Sequence, residues 1–378
     1  MTFADQQTWP PASKNPLRHN AHTDVSGDGK SSPEGSKTCE SGGLRVLMVT
    51  SEWPAPERPS SGTFVVQQVK YLRRAGLHVD VFTFRGNKNL FRHLQAWRKL
   101  RSGYNLFTYD LVHFHFGQTG VVGLGIGLPM VVTFHGSDLQ GIGGRSVWSA
   151  LAGFFLRALS RHTASRAAEV IVVAAHLAKF LPARIPVRVI PGGIDLEVFH
   201  PMDRDDAKRL LGFLPEKRHI LFAANPLVPV KRHWLARAAA QRIQDEFGAE
   251  LVELYGVSHK RVPAYMNACD VLLLTSEHEG SPTVVKEALA CGLPIVAVDV
   301  GDVRERIGGV EGCVVCSDDS PTTIADGLAH VLRQNRRVEG RGEVGDLDER
   351  VVTREVIAVY RSALDRTSYF SRAVGRSP

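Results

Sequence analysis

Glu279 and Glu287 stand eight positions apart and enclose Gly280, Ser281, Pro282 and Thr283. Ser281 is a good helix N-cap and Pro282 suits a first helical position, so the stretch reads as a loop entering a helix. A helix N-terminus offers unpaired N–H groups and partial positive charge, a seat for a diphosphate. Gly280 lets backbone come close to such a ligand, and Ser281 and Thr283 add hydroxyls. Thr283 and Glu287 share one helix face, so Glu287 can line the same cleft. A carboxylate there repels phosphate but accepts hydrogen bonds from two neighbouring sugar or ribose hydroxyls. The plain alternative makes Glu287 a solvated mid-helix residue and Glu279 a loop-surface acid.

Other chemistry-bearing groups point less clearly. His113 and His115 alternate on one strand, which puts both on one face, but no carboxylate accompanies them and no metal site is expected. Asp203-Arg204-Asp205 and Asp346-Leu347-Asp348 do not end hydrophobic strands; they read as caps or surface acids, and no metal requirement is expected. Five cysteines are few and odd in number. Cys313 and Cys316 flank two valines, so a strand would send their sulfurs to opposite faces as structural thiols.

The elements that must position Glu279 and Glu287 are two strands. The apolar run 271–274 feeds the loop, Gly292 and Pro294 stop the helix, and 293–298 forms the next strand. Strands are also expected at 44–50, 78–84, 110–116, 129–134, 169–174, 187–191, 220–224, 249–255 and 312–315, with helices between most of them. This alternation in both halves gives an α/β chain of two doubly wound domains facing across a cleft, with ligands at the carboxyl ends of the strands. The expected divisions are a disordered polar arm at 1–43, a first domain at 44–198, a second at 199–350, and a terminal helix and tail at 351–378, which could return to the first domain. The first βαβ unit lacks G-x-G-x-x-G, so a dinucleotide fingerprint is not supported. Basic amphipathic stretches at 89–100 and 146–168 are expected to lay an apolar face on the core; a sharper reading is contact with an anionic membrane surface.

The 43% hydrophobic and 22% charged content is that of a globular protein, and 378 residues suffice for two cores. No run approaches the roughly 20 apolar residues of a membrane span, and the N-terminus lacks an apolar signal core, so a cytoplasmic location is expected. A net charge of +7 favours anionic partners without indicating nucleic acid.

The E-x7-E pair within Glu279-Gly280-Ser281-Pro282 and Lys286-Glu287-Ala288-Leu289-Ala290-Cys291-Gly292-Leu293-Pro294 closely resembles the signature of the retaining glycosyltransferases of family four, which have the GT-B fold. Thr133-Phe134-His135-Gly136-Ser137-Asp138 resembles that family's first-domain loop facing the donor, and Pro191-Gly192-Gly193-Ile194-Asp195 with Phe199 and Pro201 its linker. The resemblance implies transfer of a sugar from a nucleotide-diphosphate sugar, with retained configuration, to a saccharide or lipid-linked saccharide. No cofactor is implied beyond that donor substrate. By position, Glu287 would hold the ribose hydroxyls and Glu279 the transferred sugar. Groups around Ser281, Pro282 and Thr283 would border the phosphates, and Lys231 would neutralise the leaving diphosphate in place of a metal. His135 would face the sugar or its departing phosphate, and Gly62 would lie near the diphosphate. The family commonly has an arginine about five residues before that lysine. Pro226 stands there instead, with Arg232 as a partial substitute. A nucleotide-sugar epimerase or a non-catalytic nucleotide-binding protein of the same fold would share much of this pattern.

Overall fold

The computed structural model describes residues 43–55, 58, 61–85, 90–140 and 147–373. The expected disordered arm, apart from residue 43, lies outside these residues, as do Cys39, Asn89 and Ser146.

Among the described residues, eleven strands form two parallel sheets. The first contains β1 (Arg45–Thr50), β2 (His78–Thr83), β3 (Leu111–His115), β4 (Met130–Phe134), β5 (Glu169–Val172) and β6 (Val187–Val189), in the order β2-β1-β3-β4-β5-β6. The second contains β7 (His219–Phe222), β8 (Glu250–Glu253), β9 (Val271–Leu274), β10 (Ile295–Ala297) and β11 (Val314–Val315), in the order β11-β10-β9-β7-β8. Each sheet reverses its winding beside its first strand, between β1 and β3 and between β7 and β9. The crevice at the carboxyl ends of such a pair is where ligands bind in open α/β sheets.

The inner strands are apolar on both faces because helices cover both. Alternate residues serve alternate cores. Leu47, Val49, Val112, Phe114, Val132 and Phe134 face one side of the first sheet, while Val46, Met48, Leu111 and Val131 face the other. The second sheet divides likewise, with Leu221, Leu272 and Leu274 on one side and Ile220, Phe222, Val271 and Leu273 on the other. Cys313 packs against the first of these clusters and Cys316 lies in the second, on opposite faces. Burial pushes both thiols up to about 11.

The terminal helix Glu349–Ala373 follows the second sheet in sequence but buries Val352, Val356, Val359, Tyr360 and Ala363 against β4, β5 and the helix Thr63–Arg74. These residues recur at the spacing of one helix face. The Tyr360 hydroxyl meets His113 Nδ1 at 2.7 Å. The chain therefore passes between the two sheets twice, and the crossings are stitched together: Ile194 N–H donates to the Leu347 carbonyl at 2.8 Å and Glu349 N–H to the Ile194 carbonyl at 2.9 Å.

The helix Leu90–Gly103 buries Ala96 and Leu100, but Phe91 is 71% and Leu94 45% exposed. The apolar stripe expected to lie wholly on the core is thus divided, because only the part near Trp97 reaches the segment Gly117–Gly123 and Leu124.

Candidate active site

On the second sheet, the loops leaving β7 and β9 are tied to each other. The Thr275 hydroxyl donates to the Lys231 carbonyl at 2.8 Å, and Glu277 N–H donates to the Val230 carbonyl at 2.8 Å. This fixes Lys231 at the end of a short 3-10 turn, and its ammonium meets the Glu279 carboxylate at 2.6 Å. Glu279 is not a surface acid: its side chain is 14% exposed. Arg232 adopts φ 49° and turns its guanidinium to the Thr275 and Ser276 carbonyls and to Asp319. The structure thus commits Arg232 to holding the loops together and does not bring its charge to the Lys231–Glu279 pair.

The helix Thr283–Ala290 begins one residue later than expected, with Pro282 at the N-cap position. The Ser281 hydroxyl does not cap it but donates to Asp302 at 2.6 Å, because that carboxylate is a stronger acceptor within reach. The first-turn N–H groups therefore carry no side-chain cap. Glu287 is buried and its Oε1 meets His259 Nε2 at 3.1 Å. Burial works against a charge on His259, yet the hydrogen bond and charge of Glu287 raise it above its ordinary value. Nothing in the spacing of His259 marked it as the partner of Glu287. Lys286, also fully buried, donates to the Gly192 carbonyl of the linker at 3.0 Å, and burial lowers its ammonium to about 8.

On the first sheet, His115 at the end of β3 and His135 after β4 meet through Nδ1 and Nε2 at 3.0 Å. The His135 ring lies between Phe64 and Phe116, with centroids 4.7 and 4.6 Å away. Burial lowers His135 well below its ordinary value and His115 to about 3, so both rings are neutral. The loop around His135 is shaped by Asp138, whose carboxylate accepts from the backbone N–H of Gly117, His135 and Gly136 at 2.8, 3.1 and 3.0 Å. Burial pushes Asp138 up to about 6 even though those N–H groups favour its charge. Its place two residues after Gly136 hinted at a turn, not at this bracing role. Gly62 caps the helix that carries Phe64 at φ 66°, and a Cβ there would lie 2.4 Å from the Glu52 carbonyl oxygen. Only glycine fits that corner.

The two sides touch. A Cβ on Gly280 would lie 2.3 Å from the His135 carbonyl oxygen, and one on Gly136 3.1 Å from Gly280 Cα. Gln140 donates across to the Glu279 carbonyl at 3.3 Å. Lys231, Glu279, Gly280 and His135 are thereby gathered at the facing carboxyl ends of the two sheets, while Glu287 lies one helix turn beyond Thr283. Among the described residues, no three or more His, Cys, Asp or Glu side chains are grouped to hold a metal ion. His113 is occupied by Tyr360 and, at 2.8 Å, Thr133. Asp203 caps the helix Arg204–Leu211, and Asp348 pairs with Arg350.

Residues 42–198 match Glycosyltransferase Family 4, and residues 218–334 match Glycosyl transferases group 1. The chain belongs to glycosyltransferase family 4. A relative named for teichuronic acid biosynthesis, from Bacillus subtilis, is 25% identical, over 70% of this chain and 83% of its own. D-inositol 3-phosphate glycosyltransferase 1 of Catenulispora acidiphila is 25% identical over 85% and 95%. Among solved structures, sucrose-phosphate synthase of Thermosynechococcus elongatus superposes with TM-score 0.66 at 18% identity, over 88% of this chain and all of that one. Anabaena HepE in complex with UDP and glucose gives 0.63 at 16%, over 84% and 100%. The fold of this family 4 chain is GT-B.

Proposed function

We propose that this family 4 glycosyltransferase uses a nucleotide-diphosphate sugar and transfers its sugar, with retained configuration, to a hydroxyl of a saccharide or lipid-linked saccharide. The observation that carries the reading is the Lys231–Glu279 pair at 2.6 Å, facing the His135 loop across Gly280. A carboxylate in that position binds sugar hydroxyls, and the ammonium meets the charge that develops on the leaving diphosphate, without a metal. The open first turn of the helix Thr283–Ala290 borders the phosphates, with Ser281, Pro282 and Thr283 at its entrance. Glu287 accepts from the ribose hydroxyls. In the reaction, the bond from the anomeric carbon to the diphosphate oxygen breaks. The acceptor oxygen bonds to that carbon on the same face, and its proton passes to the departing phosphate.

The UDP and glucose bound by HepE make a uridine donor the first to test. Peripheral contact with an anionic membrane has its own support. The helices Leu90–Gly103 and Val147–Arg166 contain no acidic residue, carry Arg92, Arg98, Lys99, Arg157 and Arg161, and expose Phe154 and Phe155.

The test is consumption of labelled nucleotide sugars with and without cell lipid extract. Lys231→Met and Glu279→Gln are each expected to lower turnover by about 10²–10³-fold. Nucleotide binding without consumption of any donor would overturn the transferase reading, and isomerised sugar without acceptor would replace it by epimerisation. Unchanged donor binding in Glu287→Ala would remove the ribose assignment.

A further inference from the structure

Beside His135 lies a small, partly open cavity of about 20 Å³, bounded by Phe64, Gln68, His115, His135, Gly193 and Glu349. Three of the residues that line it each carry a buried polar atom with no protein hydrogen-bond partner among the described residues: Gln68 Oε1, His115 Nε2 and Glu349 Oε2. His115 and Glu349 are 1% and 2% exposed, so bulk water cannot satisfy them. A space above roughly 10–15 Å³ with two to four polar neighbours is what an ordered internal water requires.

We propose that this cavity holds an ordered water shared by Gln68, His115 and Glu349, and that through it Gln68 and Glu349 act as positioning residues that set the tautomer of His135. The chemistry is constrained because the His115–His135 contact holds a single proton between two neutral rings. Gln68 Oε1 only accepts, so it takes one water hydrogen. With Glu349 as the acid, its O–H donates to the water and the second water hydrogen goes to His115 Nε2. His115 Nδ1–H then donates to His135 Nε2, and His135 keeps its proton on Nδ1. With Glu349 as the carboxylate, the water donates to it and accepts from His115 Nε2–H. His135 Nε2–H then donates to His115 Nδ1, which leaves His135 Nδ1 a bare acceptor. Loss of a proton from Glu349 to solvent reverses the Glu349–water, water–His115 and His115–His135 bonds, while the water goes on donating to Gln68.

Glu349 is held largely as the acid at neutral pH, since burial pushes it up to about 8. Asp195 and Asp348 favour the acid; Lys286 and Lys70 oppose them. On the histidine side the charged or titratable neighbours are His113 and Lys286. The relay itself does not require that the chain transfers sugars, but its consequence for catalysis rests on that reading.

The experiment is nitrogen NMR of the full chain with ¹⁵N-labelled histidine, assigned through His115→Asn and His135→Asn, across the titration of Glu349. The wild type is expected to move His135 from mostly Nδ1–H to mostly Nε2–H as pH rises. Glu349→Gln, whose amide always has a hydrogen to donate, is expected to stay in the Nδ1–H form, and Gln68→Leu to show a mixture already at neutral pH. Gln68 is only half-buried, so its variant keeps the test open if Glu349→Gln does not fold. Identical tautomer populations in wild type and both variants would overturn the proposal, as would a high-resolution crystal structure without water density within hydrogen-bond reach of the three atoms. Tautomer coupling in a chain that consumes no nucleotide sugar would leave the relay standing and sink the function. In an active chain, the variants are expected to change kcat and its pH profile with KM kept.

Discussion

Gly280→Ala isolates the approach of the two sheets. Gly280 is not among the glycines with positive φ, so alanine suits its backbone and the only obstacle is space. The added Cβ would meet the His135 carbonyl oxygen at 2.3 Å, more than 1 Å short of the roughly 3.5 Å at which non-bonded heavy atoms rest. The obstacle is backbone, not a flexible side chain, so the methyl cannot be accommodated by a rotamer change. The softest response is for the two domains to part by about 1 Å, since they are joined here by contacts and at the linker by two strands of chain. A 1 Å displacement between reacting groups costs about 10²-fold in rate, or ~2.7 kcal/mol of barrier. Donor affinity, which draws on the second sheet's loops, is expected to change little. Stability is expected to fall by about 1–3 kcal/mol, the usual cost of forcing extra volume into a closed contact, which outweighs the roughly 0.4–1 kcal/mol that alanine gains by restricting the unfolded chain. Small-angle scattering should show a larger radius of gyration, and transfer assays a fall in kcat at nearly constant donor Kd. Wild-type kcat and dimensions in this variant would refute the claim that Gly280 sets the approach. A Tm lowered by many degrees would show instead that the loop, not the domain pair, takes up the strain.

Two further outcomes follow from the charges. In Glu287→Gln, burial is left to dominate at His259, so its titration midpoint by NMR should drop below that of the wild type; an unmoved midpoint would mean Glu287 is not its partner. Acid should destabilise the fold through His113, His115 and His135. Each has a folded value below its ordinary 6.5, so the unfolded chain binds more protons there. Their contribution is complete above pH 6.5 and is lost as pH falls toward about 3, the value for His115. Glu349 acts with the opposite sign: raised from 4.5 to about 8, it contributes fully below 4.5 and loses that as pH rises through 8. Thermal melts from pH 4.5 to 9 should therefore decline at both ends, and Glu349→Gln should remove only the alkaline decline.

The parts of this chain that depend on near neighbours in sequence were legible. Parallel strands buried on both faces announce themselves as apolar runs, and β9 with the helix after Pro282 lay where those runs and turn residues put them. The opposite faces of Cys313 and Cys316 followed from strand alternation alone. What could not be read depends on pairs distant in sequence. His259 reaches Glu287 across 28 positions, His115 reaches His135 across 20, and Tyr360 reaches His113 across 247. Each residue type has several uses, and only the fold selects one. The Ser281 cap failed for the same reason: a local rule assigned its hydroxyl to the backbone, and Asp302, 21 positions on, took it.

The same selection bears on the arginine that family members commonly place before the lysine. Here Pro226 occupies that position, and Asn225 beside it folds the loop by accepting from Leu227 N–H at 2.9 Å. Arg232 is bound to Thr275, Ser276 and Asp319, and Lys286 to the linker carbonyl of Gly192. Lys231 differs from both, because the one partner of its ammonium among the described residues is Glu279, a group that the proposed sugar would engage. A donor entering between the two would exchange one anionic partner of the ammonium for another, its diphosphate, and free the carboxylate for hydroxyls. That exchange gives the loop a way to keep a lysine oriented without ligand, at the cost of breaking an ion pair on binding. It also implies that Glu279→Gln should strengthen the hold of Lys231 on inorganic pyrophosphate while weakening transfer. If calorimetry shows pyrophosphate bound no more tightly by Glu279→Gln than by the wild type, the pair is not a placeholder for the diphosphate.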